Sequence, residues 1–155
     1  NGRAALREEA GDRISLIEEE VNTYREAYKK MVIPDLHRFV NRFKSYPFCK
    51  DAVDVLVNRG LYYSITDDIP AKGTANIKTI EILLKSDLDG ERDLTFVHEL
   101  FHLFYCATER LMPPEVHSVS SAISFLERTL DLYAARTIAD DNTLVPYIFD
   151  KVPRR

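Results

Sequence analysis

Residues 98–102 read His98-Glu99-Leu100-Phe101-His102. Two imidazoles four positions apart fall on one face of a helix, where both can reach a single metal ion. Glu99 lies about 100° round that helix from His98. Its carboxylate can flank an open coordination position and take a proton from a water held there. A histidine pair with an adjacent glutamate at this spacing suits zinc-dependent hydrolysis of an amide bond.

The flanking residues strengthen that reading. The run from Leu94 to Cys106 is apolar on nearly every side, and a helix that is apolar all round is a buried one. Ionisable groups embedded in it must be paired or bound to metal. The competing reading is two satisfied core histidines beside a solvated glutamate.

A catalytic zinc usually takes three protein ligands. A further histidine six residues after His102 would suggest the metzincin pattern, but Thr108 stands there and Tyr105 occupies the glycine position. The better third ligand is Glu127, which lies 25 residues after His102. That distance leaves room for one helix, a turn and a return. Asp131 follows Glu127 by one helical turn and shares its face. It can accept the second ring N–H of a ligand histidine, which ligand imidazoles usually donate to a carboxylate or carbonyl. Ser120, Ser124, Ala134, Ala135 and Ile138 accompany the two acids, and small side chains there would let this helix approach the His98 helix. The competing reading is two surface acids on an amphipathic helix.

H-E-x-x-H followed on a later helix by E-x-x-x-D resembles the gluzincin branch of the zincin metallopeptidases. The layout is similar to the compact minigluzincins and the ImmA/IrrE-like peptidases, over residues 94 to 135 and the strands before them. The resemblance implies His98, His102 and Glu127 as ligands of Zn2+, Glu99 as general base and Asp131 as support for a ligand. It also implies an edge strand near the cleft that holds an extended peptide by backbone pairing.

The elements that must position these groups can be read from periodicity. The 155 residues fit one domain, 1–155, with a helical N-terminal part at 1–58 and a catalytic core at 59–155. The fold class is α+β, mainly helical, with a small sheet packed on the two site-bearing helices. Residues 1–11 read as frayed. A helical stripe from Asp12 carries Ile14, Ile17, Val21, Tyr24, Tyr28 and Met31, and Pro34 ends it. Residues 36–47 repeat the pattern, and a short helix at 49–58 stops at Gly60. These helices read as a scaffold behind the active helix, or as an arm for a partner. Strands are expected at 61–66 and 77–85, the second with Ile80, Ile82 and Leu84 on one face. Residues 67–76 read as a loop broken by Pro70 and Gly73. A helix from about 115 to 139 carries Glu127. Residues 140–146 read as a polar connection, and 146–149 as a packed end.

A net charge of −4, with no basic block, argues against nucleic-acid binding. No apolar run reaches membrane-spanning length. Cys49 and Cys106 are too few for a disulfide framework, and Cys106 reads as a small buried hydrophobe. His37, among arginines, reads as a boundary histidine. A chain that opens on Asn1 reads as part of something longer, and the expected compartment is cytoplasmic. The expected function is a zinc metallopeptidase acting on a protein or peptide. An oxyanion donor is still needed, with Tyr105, Tyr147 and His117 as candidates and Tyr133 as core. The alternative is an inactive zincin-like module that binds partners through its N-terminal helices.

Overall fold

The computed structural model describes residues 2–28, 49–109 and 120–155. Helices run over Gly2–Tyr28 (α1), Cys49–Asn58 (α2), Arg92–Glu109 (α3), Ser120–Asp140 (α4) and Leu144–Lys151 (α5). Three short strands, Tyr62–Ile65 (β1), Gly73–Asn76 (β2) and Glu81–Leu84 (β3), form a sheet in the order β1-β3-β2. β1 runs parallel to β3, and β2 runs antiparallel to it. The α+β class and the mainly helical balance are as expected. Among the described residues no helix is long and apolar enough to cross a membrane.

α3 is the central element. It touches β2 and β3 on one side, α4 on another and α2 on a third. Burial on several sides requires apolar residues all round, and Phe96, Val97, Leu100, Phe101 and Leu103 are all buried. Tyr63 of β1, Phe96 of α3 and Phe149 of α5 meet edge to face, with centroids 5.4 to 5.8 Å apart. That cluster joins sheet, central helix and final helix.

α2 stops at Gly60 for a definite reason. Gly60 has φ of 95°, and Leu61 N–H reaches back to the Leu56 carbonyl while Gly60 N–H bonds to Val57. This is a Schellman termination, which wants glycine at the left-handed position.

Several boundaries differ from expectation. α1 begins at Gly2 rather than Asp12. Its first turns are held by tertiary contact: Ala10 is buried in the core, and the Arg7 guanidinium donates to the Ala139 carbonyl at 3.1 Å. α1 packs along α4, the Glu127 helix, and not behind α3. Residues paired across the two helices run Arg7 to Ala139, Arg13 to Asp131 and Glu20 to Arg128, so the helices are antiparallel. Ile138 lines one hollow with Ala10, Arg13 and Leu16 of α1. That end of the small-residue stripe therefore serves α1 rather than α3.

Residues 73–76 form a strand, not a loop. Gly73 marks close approach here: a Cβ on it would lie 2.7 Å from Thr95 Cγ2 and 3.2 Å from the Leu83 carbonyl oxygen. β3 is shorter than expected, because Lys78 and Thr79 N–H groups donate to the Asn76 side chain and turn the chain back. Ile80 belongs to that turn, with φ of 53°, and not to the strand face. The apolar alternation simply runs on through the turn. The polar connection after α4 is confined to 141–143, since Leu144 already begins α5; Pro146 falls in its first turn, where no N–H is needed. Residues 36–47 and 115–119, with His37 and His117, lie outside the described residues.

Leu100 sits fully buried between the motif's two histidines. Leu100→Ala should lower the unfolding free energy by about 2–5 kcal/mol, read by denaturant titration.

Candidate metal centre

The motif falls entirely within α3, and Glu127 and Asp131 lie one turn apart on α4, which packs against it. Nε2 of His98 lies 2.8 Å from Oε2 of Glu127. Nε2 of His102 lies 3.1 Å from Oε1 of the same carboxylate and 3.2 Å from Nε2 of His98. Two nitrogens and one carboxylate thus converge on a single small triangle, and this group could hold a metal ion.

The spacing bears on the fit. Four ligands at about 2.0–2.1 Å around a tetrahedral ion stand about 3.3 Å from one another. The observed separations are a few tenths of an ångström shorter. Two imidazole nitrogens facing each other cannot both donate into the gap between them, whereas a cation accepts both lone pairs. The donor set and its spacing therefore fit a small divalent ion.

His98 makes a second contact. Its Nδ1 lies 2.7 Å from Oδ1 of Asp131, close enough for a charge-assisted contact although off the best hydrogen-bond line. A carboxylate at Nδ1 favours the tautomer that leaves Nε2 free to ligate. The structure thus brings together His98, His102, Glu127 and Asp131, four of the five residues singled out by spacing.

Glu99 is buried beside His98, and both line a cavity of about 430 Å³ with Glu127, Thr95 and Gly73. The Glu127 side chain is 46% exposed, so the triangle opens on that cavity while His98 closes it from behind.

The electrostatics follow from burial and charge. Burial raises the Glu99 carboxyl above its ordinary range; His102 and His98 oppose this, and the nearby carboxylates reinforce it. Burial would raise Glu127 too, but the two imidazoles hold it far below the usual carboxylate range. Burial alone would make His98 a weaker base. Asp131 and Glu127 outweigh that, and His98 keeps its proton well above the usual imidazole range.

Tyr147 does not join the site. Its hydroxyl donates to Asp54 of α2, and Lys50 and Lys151 lie over its ring. Tyr133 packs against the core, as expected. The side chains of Tyr105 and Cys106, and all of His117, lie outside the described residues. Sequence reasoning missed Arg13, whose guanidinium lines the same cavity and reaches Asp131 and Glu91. No periodicity signals an arginine in a polar stretch.

Comparison with protein-family models, curated proteins and solved structures finds no match to this chain.

A metal entering the triangle must displace the proton that His98 holds, so affinity must rise with pH. Because that proton is held above the ordinary value of about 6.5, the rise should continue past neutrality, at about tenfold per pH unit. A chelator-competition titration at several pH values would show this slope; levelling off near the ordinary imidazole value would contradict it.

Proposed function

We propose that the protein is a zinc-dependent metallopeptidase. The observation that carries the reading is a buried glutamate, Glu99, in one cavity with His98 and Glu127, two corners of the converging His98–His102–Glu127 triangle. A purely structural metal site has no use for such a glutamate, and usually closes with four protein ligands. Two imidazoles and one carboxylate suit zinc among the common divalent ions. When bound there, zinc supplies Lewis acidity, acting on the attacking water and on the substrate carbonyl.

The remaining work falls to side chains and backbone. Glu99 takes a proton from the attacking water as its oxygen bonds to the carbonyl carbon. It returns a proton to the amine nitrogen as the carbon–nitrogen bond breaks. Its raised carboxyl pKa brings it closer to the operating pH, which favours both transfers. Asp131 holds the His98 ring, and burial of His98 and Glu99 limits competing solvent.

β2 is the natural dock for the substrate. Residues 71–73 line the cleft with His98 and Glu99. Lys85 N–H donates to the Lys72 carbonyl, so Lys72, Thr74 and Asn76 are the ladder positions that face β3. Gly73 and Ala75 therefore turn their backbone groups away from β3, toward the side of β2 that no described strand covers. The opposite edge of the sheet is already covered: Tyr63 pairs with residues 153–155, at 3.0 Å to the Pro153 carbonyl and 2.8 Å from Arg155 N–H. An extended peptide added along β2 would lie beside the metal triangle.

The deciding experiment measures bound zinc by elemental mass spectrometry and turnover of a fluorogenic peptide library, on the wild type, Glu99→Gln and Glu127→Ala. Wild type should carry about one zinc per chain and cleave. Glu99→Gln should keep the metal and lose about 10²–10⁴-fold in turnover, whereas Glu127→Ala should lose metal and activity together. Full zinc with no hydrolysis by wild type would abandon the peptidase for a binding module. On any peptide the enzyme turns over, Ala75→Pro should raise KM about three- to tenfold with little change in kcat. It removes one outward N–H and leaves the β3 ladder intact.

A further inference from the structure

α1 reaches the metal centre through one side chain. Nη1 of Arg13 lies 3.3 Å from Oε1 of Glu91, and Nη2 lies 3.6 Å from Oδ2 of Asp131. The other oxygen of Asp131 is the one that meets Nδ1 of His98 at 2.7 Å. Asp131 thus faces an arginine on one side and a ligand histidine on the other. Glu91 divides itself in the same way, between Arg13 and Lys72. The Nε of Arg13 is buried with no hydrogen-bond partner among the described residues. Burying an unpaired donor is unfavourable, and an arginine serving only to solvate α1 would leave its head in water.

We propose that Arg13 is a positioning residue for the metal centre, resting on the metal-binding reading above. Its guanidinium fixes the rotation of the Asp131 carboxylate, so that Oδ1 stays on His98 Nδ1 and His98 Nε2 stays aimed at the triangle. The torsion that turns a carboxylate is broad, with no sharp minimum of its own. One contact leaves that rotation loose; contacts at both oxygens define it. A ligand imidazole whose partner swings away loses its orientation, and metal affinity with it. The N-terminal helix, which carries no ligand in the described residues, thereby becomes part of the site.

The competing role for Arg13 is a clip holding α1 on α4. Other clips do that as well: Arg7 to the Ala139 carbonyl, Glu18 to Arg136 and Glu20 to Arg128. Partly exposed pairs of this kind contribute little singly. The two roles separate in the zinc dissociation constant, measured on the full chain by competition with a chromophoric chelator. The set is wild type, Arg13→Met, Arg13→Lys, Asp131→Asn, the Arg13→Met/Asp131→Asn double variant and Glu18→Gln. Arg13→Met should weaken zinc binding about tenfold, the low end for groups that orient ligands. Arg13→Lys should recover part of the loss, and Glu18→Gln should match wild type. In the Asp131→Asn background, Arg13→Met should add less than about twofold, because its effect passes through that carboxylate. Unchanged affinity in Arg13→Met, a loss equally large in the Asp131→Asn background, or the same loss in Glu18→Gln would overturn the inference. If Arg13→Met fails to fold by circular dichroism, Arg13→Lys decides: affinity partly reduced in the folded protein supports the role, and affinity equal to that of the wild type overturns it. A wild type that takes up no zinc would fell the metal reading itself, and this inference with it.

Discussion

Everything in this molecule is arranged around one buried imidazole. His98 sits inside an apolar helix, with Oε2 of Glu127 2.8 Å from one ring nitrogen and Oδ1 of Asp131 2.7 Å from the other. Burying a polar ring against two carboxylates, one largely buried and one half-exposed, is costly unless their charges and hydrogen bonds are matched. The match requires α4 to lie against α3 at the level of His98. α1 and its antiparallel pairing with α4 help hold α4 there, and the sheet supports α3 from the other side. The core is thus organised to deliver two carboxylates to one ring.

The same arrangement explains how the three acids of the site differ. All three share one neighbourhood, yet burial dominates at Glu99 and raises its carboxyl, while two imidazoles dominate at Glu127 and lower it. One carboxylate is thereby suited to exchange protons and another to remain charged beside a cation. Asp131 stands one step back, between the His98 ring and the Arg13 guanidinium. Residues of one chemical type acquire separate capacities from their surroundings alone.

Much of this was legible in sequence, for reasons that are local. The spacing of His98 and His102 places both on one helical face whatever the tertiary fold, and the same holds for Glu127 and Asp131. Apolar residues all round α3 announced its burial. What could not be read depends on contacts between distant segments. Arg13 meets Glu91 and Asp131, far along the chain, and nothing in its neighbours marks it. Gly73 reads as a breaker until Thr95 is seen packed against it. Ile80 continues an alternating pattern that would suit a strand, but the Asn76 side chain redirects the backbone first. The early start of α1 was hidden because α4, not its own amphipathic stripe, stabilises its first turns.

The contact at Gly73 bears on how the cleft can move. With no side chain on that residue, β2 meets α3 almost backbone to methyl, at Thr95. A joint cushioned by long side chains can breathe by rotamer changes; this one has none to change. At this point the height of β2 above the motif is set by close approach of the strand backbone to the helix. A chain laid along that strand would meet His98 and Glu99 at a depth set by main-chain thickness, with the backbone rather than a lining side chain fixing its approach.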